Sequence, residues 1–344
     1  MNNKHVVVIG GGIAGMEAAS VLARHGLKVT MIEKQANTGG KLNDWDHLFP
    51  DFSSPGELVN SLAAKTKENG VNTICNTEIS RIERNGKRFE LKADQDIRFY
   101  ADAVLVASGF NVFDATIKEE YGYGLFGNVI TSVDFERRMK KHGQLQTIQG
   151  TTPKRVAIIH CVGSRDAKVG NTYCSKVCCI TGIKQAIEIS EMLPDCEVFC
   201  FYMDLRLYGS KFDSLYLKAQ KRHKIQFIRG RLSEAAERAD KSIQIKAEDT
   251  LQGRPLRMTV DMVILLVGME PGASTAQLTQ NNQMTLDENG FLKSANMHYA
   301  RNQSTQEGIF MAGTTICPMA VNETLENARS AATEIIHFFE NRRP

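Results

Sequence analysis

The stretch Val6-Val7-Val8-Ile9-Gly10-Gly11-Gly12-Ile13-Ala14-Gly15 restricts the fold more than any other part of the chain. A short apolar run ends in glycines and passes into a helical pattern from Ile13 to Arg24. A second apolar run follows at Lys28 to Ile32. Strand, glycine turn, helix and strand in this order predict a βαβ unit in a parallel sheet. In Gly10-x-Gly12-x-x-Gly15 the first glycine permits the tight turn and the second lets the backbone approach a pyrophosphate. The third lets the helix pack against the strand, so that the helix N-terminus faces the phosphate. Glu33 lies 23 residues beyond Gly10, at the end of the second strand, where a carboxylate accepts hydrogen bonds from an adenosine ribose. The competing reading is a glycine-rich turn with no ligand.

The 344 residues suffice for two domains, each with its own core. Charge is balanced, 42 Lys plus Arg against 39 Asp plus Glu, which argues against nucleic acid or an anionic membrane as the main partner. The apolar residues near the start are too few for a signal-peptide core. The longest later run, Met262 to Val267, is far short of a membrane span. The expectation is a cytoplasmic protein. In such a chain the eight cysteines point to metal binding, catalysis or core packing rather than disulfides. Four of them, Cys161, Cys174, Cys178 and Cys179, fall within nineteen positions.

Residues 77–100 alternate apolar and polar around Asn85-Gly86, which predicts an antiparallel meander. Ala103 to Ala107 reads as a buried strand. A second α/β series starts near Arg155, with strands at Val156 to Ile159, Cys196 to Met203, Ile225 to Ile228 and Met262 to Val267. Its helices are expected at Ile183 to Met192 and Leu215 to Arg222. The tail returns through Gly308-Ile309-Phe310-Met311-Ala312-Gly313 to a final helix from about Glu323. The expected fold is therefore α/β, two Rossmann-like dinucleotide-binding domains with the second inserted into the first. The discontinuous first domain is expected over 1–115 and 285–344 and the second over 150–270, with connecting segments at 116–149 and 271–284.

The order of the remaining small-residue turns argues for FAD rather than NAD in the first domain. Gly39-Gly40 follows Glu33 as a backbone path beside a flavin requires. Ala107-Ser108-Gly109 ends a strand after the meander, and Gly313-Thr314 sits just before a helix whose N-terminus could stabilise a reduced flavin. These segments resemble the FAD domain of thioredoxin-reductase and glutathione-reductase-like flavoproteins. The resemblance adds Lys34, Gly40, Lys41 and Ile79 to the candidate flavin contacts, beside Gly10, Gly12, Gly15, Glu33, Ala107, Ser108, Gly109, Gly313 and Thr314. In that group an Asp usually follows the last glycine; here Thr314 stands there.

The same relatives place a second glycine fingerprint after the strand that opens the inserted domain. Here the strand runs into His160-Cys161-Val162-Gly163-Ser164-Arg165-Asp166, and an ordinary NAD(P)H site is not expected. Four thiolates from a strand end and the turn into the next helix could hold a [4Fe–4S] cluster. They could equally hold a tetrahedral zinc, form a redox disulfide through Cys174 and Cys178 or Cys178 and Cys179, or be core cysteines. Cys-Val-Gly-Ser-Arg-Asp (161–166) with Tyr-Cys-Ser-Lys-Val-Cys-Cys (173–179) resembles the A subunit of heterodisulfide reductase. So do Lys-Glu-Glu-Tyr-Gly-Tyr-Gly (118–124), Asp204-Leu205-Arg206 and Val267-Gly268-Met269-Glu270-Pro271. That resemblance implies that the four cysteines hold a [4Fe–4S] cluster near FAD. Full-length members of that family are longer, with further ferredoxin-type cysteines and cysteines after a Phe-Pro; here Phe49-Pro50 is followed by Asp51-Phe52-Ser53-Ser54. The chain looks more like the short subunits in the heterodisulfide-reductase-like complexes of sulfur-oxidising prokaryotes. The resemblance then implies iron–sulfur and heterodisulfide reductase B/C-like partner subunits and a homodimer within the larger complex.

Cys196 and Cys200 share one face of an apolar strand and read as core, as does Cys75. Cys317 reads as structural, with approach to the flavin as the alternative, and His160 as a packed strand-end residue or one that tunes the cluster. The leading expectation is a FAD- and [4Fe–4S]-containing electron-transfer oxidoreductase subunit in sulfur or thiol–disulfide chemistry, that chemistry occurring on a partner. The alternatives are a stand-alone NAD(P)H-dependent disulfide reductase using Cys174 and Cys178, and a non-catalytic flavin-binding subunit with structural zinc.

Overall fold

Strand β1 (His5–Ile9) is buried at every residue after His5, as a strand covered on both faces must be; on one of them Val7 and Ile9 share a core with Ile82, Phe89 and Leu91. It runs into helix α1 (Ile13–Arg24) and strand β2 (Lys28–Ile32), parallel to β1 in the register His5↔Lys28 to Ile9↔Ile32. Helix α2 (Pro55–Glu68), strand β3 (Asn72–Ile74) and the antiparallel strands β4 (Ile79–Asn85), β5 (Arg88–Ala93) and β6 (Arg98–Ala101) follow. Strand β7 (Ala103–Val106) then inserts beside β1, fully buried, and β8 (Phe110–Val112) leads out of this part of the chain. The computed structural model describes residues 4–280 and 284–341.

The chain divides into a first unit of Met1–Asn43, Pro55–Asn111 and Glu270–Pro344 and a second of Asp44–Ser54 and Val112–Met269. In the second, strand β9 (Val129–Thr131) feeds helix α3 (Ser132–His142), whose start is closed by a capping box between Thr131 and Asp134. Strand β10 (Arg155–Val162), helix α4 (Cys178–Met192), strand β11 (Glu197–Tyr202), helix α5 (Phe212–Lys221) and strand β12 (Gln226–Arg229) continue the α/β series. An antiparallel meander of β13 (Leu232–Glu237), β14 (Ile243–Asp249) and β15 (Arg254–Val260) precedes β16 (Met262–Val267). The parallel sheet has the order β12-β11-β10-β16-β9, with helices α3, α4 and α5 on one face and the β13–β15 meander on the other. Its core on one face is Ile158, Ile183, Ile187, Cys200 and Ile264.

Strand β17 (Met269–Pro271) returns the chain to the first unit, followed by helix α6 (Ala273–Gln280) and strands β18 (Ser294–Asn296), β19 (Ala300–Ser304) and β20 (Ile309–Met311). Helix α7 (Val321–Glu340) ends the described chain. β20 joins β7 in parallel, and the completed sheet runs β18-β19-β20-β7-β1-β2-β3.

Three differences from the sequence expectations are physical. Residues 116–149 are not a mere connection: β9 within them pairs with β16 as the sheet edge. Asp44–Ser54 belongs with the second unit, because Phe49 and Phe52 pack on its core. Within 271–284, α6 is a helix of the first unit, and residues 281–283 lie outside the described residues.

Candidate functional site

The first crevice is built from backbone. Gly10 has φ +107°, and a Cβ there would lie 2.3 Å from the Ala107 carbonyl oxygen. A Cβ on Gly15 would lie 1.9 Å from the Gly10 oxygen, so α1 can sit this close to β1 only with glycine at that position. Gly12 caps α1 with no side-chain hydrogen bond, and no acidic residue occupies the first turn. A Cβ on Gly12 would meet nothing within 4 Å. The free N–H groups of α1 therefore face open space edged by Gly39 and Gly40, with Gly39 N–H donating to the Gly11 oxygen at 2.8 Å. Such an end attracts phosphate.

Glu33 is 6% exposed, and both of its oxygens already accept backbone hydrogen bonds, from Gly11 N at 2.6 Å and from Gln35 N at 2.8 Å. It clamps the glycine loop to the end of β2, a role that spacing alone did not reveal, and each oxygen keeps a second lone pair for a ribose hydroxyl. Lys34 Nζ donates to Ser274 Oγ at 3.1 Å, and Lys41 Nζ lies 5.3 Å from the Phe110 ring centre. Ser108 Oγ lies 2.8 Å from Thr275 Oγ1 and 3.0 Å from Thr315 Oγ1, a hydroxyl cluster that ties the end of β7 to α6 and to the turn after β20. Thr314 is half-buried, its Oγ1 4.0 Å from where a Gly109 Cβ would stand. Gly313, at φ +74°, donates its N–H to Asn327 Oδ1 at 2.8 Å. The Ile79 side chain is buried in the apolar core with Ile9 and Ile32, so only its backbone could meet a ligand.

In the second unit, β10 ends where a nucleotide loop would begin. Its register against β16 slips between Ile159 and Val162, and within the slip Cys161 takes φ +60°. A left-handed cysteine is strained, and such strain collects at functional sites. The bend turns its thiol towards the start of α4: Cys161 Sγ lies 4.0 Å from Cys178 Sγ. Cys178 and Cys179 are the first two residues of α4, 3% and 2% exposed. The contact with the fully buried Cys178 lowers Cys161 and pulls Cys179 down to about 4, with His160 adding to the latter, while Cys178 itself is raised. Cys174 is more open and accepts the Lys176 N–H at 3.3 Å.

The loop between β10 and α4 is pinned to the end of β16. Met269 N–H donates to Ser175 Oγ at 2.8 Å, Ser175 N–H to Ser164 Oγ at 3.0 Å, and Tyr173 O–H to the Met269 oxygen at 2.9 Å. Asp166, 2% exposed, takes both Lys118 Nζ at 2.9 Å and Arg231 at 2.5 Å. Arg165 forks onto Asp204, whose carbonyl oxygen lies 3.8 Å from Cys179 Sγ. The fingerprint residues Lys118, Arg165, Asp166 and Asp204 thus build the wall of the cysteine loop.

Sequence reading missed a buried ionic network on the far turns of α4. Lys184 Nζ, 2% exposed, lies 2.6 Å from Glu136 Oε1, 3.0 Å from the His47 carbonyl oxygen and 3.3 Å from Glu188 Oε2. Gln185 Nε2 also donates to Glu136 Oε1, at 2.7 Å. His47 Nδ1 lies 3.0 Å from Glu188 Oε1 and 3.1 Å from Asp46 Oδ2. Burial pushes Glu188 up to about 8. The available signal was a lysine and two acids placed among apolar helix positions. Cys200 is a buried core thiol pushed up by burial, and Cys196, half-buried just before β11 and packed against the same core, is pushed up to about 12. Cys75 is raised by burial. Cys317 packs on the first core, 2.9 Å from Arg301 Nη2.

Comparison with known proteins agrees with this architecture. Solved thioredoxin reductases share the fold: that of T. acidophilum with a TM-score of 0.69 and 19% identity, covering 99% of this chain and 100% of that one; and that of Lactococcus lactis with 0.70 and 20%, covering 98% and 100%. Among curated proteins, the chain is 29% identical over 411 residues to the A subunit of the H(2):CoB-CoM heterodisulfide,ferredoxin reductase of Methanothermobacter marburgensis, covering 95% of the chain and 62% of the relative. It is 27% identical over 419 residues to the iron-sulfur A subunit of the CoB--CoM heterodisulfide reductase of Methanocaldococcus jannaschii, covering 97% and 64%. The chain thus spans rather less than two thirds of these relatives, and the resemblance to the A subunit of heterodisulfide reductase extends over nearly all of it. No helix among the described residues is long and apolar enough to cross a membrane. Residues 4–334 match the family described as pyridine nucleotide-disulphide oxidoreductase, and with an α/β sheet in each unit and a glycine-lined turn at the start of α1 in the first, the chain belongs to that family of oxidoreductases.

Proposed function

We propose that the chain is a FAD- and [4Fe–4S]-containing electron-transfer subunit of a heterodisulfide-reductase-like complex. In this reading it serves sulfur or thiol–disulfide oxidoreduction in the cytoplasm, beside iron–sulfur and heterodisulfide reductase B/C-like partner subunits. The observation that carries the reading is the substitution of thiols for a glycine loop: Cys161 and Cys178 face each other at 4.0 Å where the family's second nucleotide site would start. FAD in the first unit is supported by family membership and by the phosphate cradle of Gly10, Gly12 and Gly15.

The preference for a cluster over a single ion rests on the resemblance to the A subunit of heterodisulfide reductase. A tetrahedral zinc holds its sulfurs about 3.8 Å apart, given Zn–S near 2.3 Å. Among the described residues, the only three potential ligands within 4.8 Å of one another are Asp46, His47 and Glu188; no three of the thiols are that close. Cys161, Cys174, Cys178 and Cys179 would be the cluster ligands. When bound, FAD exchanges electrons in pairs and a cluster singly. The chain's own part is to hold the pyrophosphate at α1 and to exclude water from three of the four thiols.

The test is anaerobic purification with iron, sulfide and flavin analysis. FAD and about four irons per chain are expected. Cys178→Ser should lose or convert the cluster and keep FAD, while Cys200→Ser should leave iron unchanged. Zinc in place of iron overturns the cluster. No metal combined with rapid flavin bleaching by NADPH would instead identify a stand-alone disulfide reductase.

A further inference from the structure

His160 precedes Cys161 on β10 and is 7% exposed. Among the described residues, neither of its ring nitrogens has a hydrogen-bond partner. A buried imidazole left in this state is costly, because it gave up water for nothing, and each such group calls for an explanation. The surroundings show that the ring's position is built. Gly182 lies in the first turns of α4, and a Cβ there would stand 2.8 Å from His160 Cε1, 2.9 Å from Nε2 and 2.4 Å from Leu266 Cδ1. Only glycine leaves room for the ring against the helix. Residues three apart on a helix share a face, so the space opened at Gly182 adjoins Cys179. The influence of the imidazole on Cys179 agrees with this placement.

We propose that His160 is a positioning residue for the cysteine centre, one ring nitrogen donating a hydrogen bond to the Cys179 sulfur when that sulfur is a cluster ligand. This inference rests on the [4Fe–4S] reading above. It accounts for a polar residue in an otherwise apolar strand and for the glycine that accommodates it. A donor on a ligand sulfur draws off negative charge, and a reduced cluster carries one electron more than the oxidised one. The hydrogen bond therefore stabilises the reduced form more and raises the potential.

The experiment compares wild type with His160→Leu, His160→Asn and His160→Gln in anaerobic preparations, reading iron per flavin, the EPR signal and the cluster's midpoint potential. Leucine should keep FAD and iron, shift the midpoint to more negative values and alter the EPR line shape. One of the two amides, which can donate from near Nδ1 or near Nε2, should return the midpoint towards wild type. If the leucine chain folds poorly, Gly182→Ala supplies the same test by pushing the ring away, again with a negative shift expected. An unchanged midpoint in a leucine or Gly182→Ala protein that retains its iron overturns the inference and leaves the cluster reading intact. Iron lost from every His160 variant that still binds FAD would make His160 a ligand and not a donor. Wild type without iron fails the cluster reading itself.

Discussion

Glu188→Gln tests the ionic network through the pH dependence of stability. Glu188 is 10% exposed in its side chain, between His47 and Lys184. Loss of water is the largest influence on it, Lys184 opposes this only in part, and the result is a value near 8 against an ordinary 4.5. Between those limits the unfolded chain has released the proton and the folded one keeps it. The folded state then binds more protons, so stability falls as pH rises from about 4.5 to about 8 and levels off above. At about 1.4 kcal/mol per pH unit, the full interval corresponds to at most about 5 kcal/mol. Glutamine cannot ionise and removes the slope. The only tryptophan, Trp45, adjoins Asp46 and His47, so its fluorescence reports melting where the change is made. From pH 5 to pH 8.5 the change is at most about 4 kcal/mol, so the wild-type midpoint should fall relative to the variant by at most about 8–16 °C, at about 2–4 °C per kcal/mol. Parallel melting curves for the two proteins across this range would refute the reasoning.

Lys184→Met should destabilise the second unit by about 3–5 kcal/mol in urea unfolding, because Glu136 is left buried without its cation; adding Glu136→Met should recover part of the loss. Gly15→Ala, whose Cβ would lie 1.9 Å from the Gly10 oxygen, should lower both flavin content and melting temperature. Among the described residues, a Cβ from Gly12→Ala meets nothing within 4 Å beyond its chain neighbours; the change should leave the melting of flavin-free protein unchanged while weakening FAD retention, read as flavin per chain after dialysis.

The βαβ start and the central strand of the second unit were legible from their periodicity: α1, β2 and β16 fall where it puts them. α4 begins five residues before its expected start, at Cys178. Its first turn carries two cysteines, a threonine and a glycine, and reads as a loop by propensity, while tertiary packing makes it helix. The meander β13–β15 carries a visible alternation, Ile243, Ile245 and Ala247 buried in turn, but the surrounding charges mask it. The glycine cradle was legible because steric need dictates residue type. The capture of Glu33 by two backbone N–H groups was not, since spacing tells where a carboxylate stands and not what it bonds. The attachment of Asp44–Ser54 to the second unit depends on Lys184 and Glu136, both distant in sequence, and no local pattern could announce it.

In the proposed reading, the left-handed turn at Cys161 also bears on how a cysteine-bound centre would be assembled. An L side chain in that conformation costs about 1–2 kcal/mol, a cost that falls on folding and not on capture of a bound group. Cys161, Cys178 and Cys179 are already aimed and sealed in the finished chain, whereas Cys174 stands nearer to solvent. Assembly of a centre on the folded protein would therefore run from outside inwards, with Cys174 as the landing point and the three inner thiols closing on the incoming group with little rearrangement. Blocking Cys174 alone would then slow filling far more than it weakens the finished site, and Cys161→Gly would give a sturdier empty chain that fills poorly.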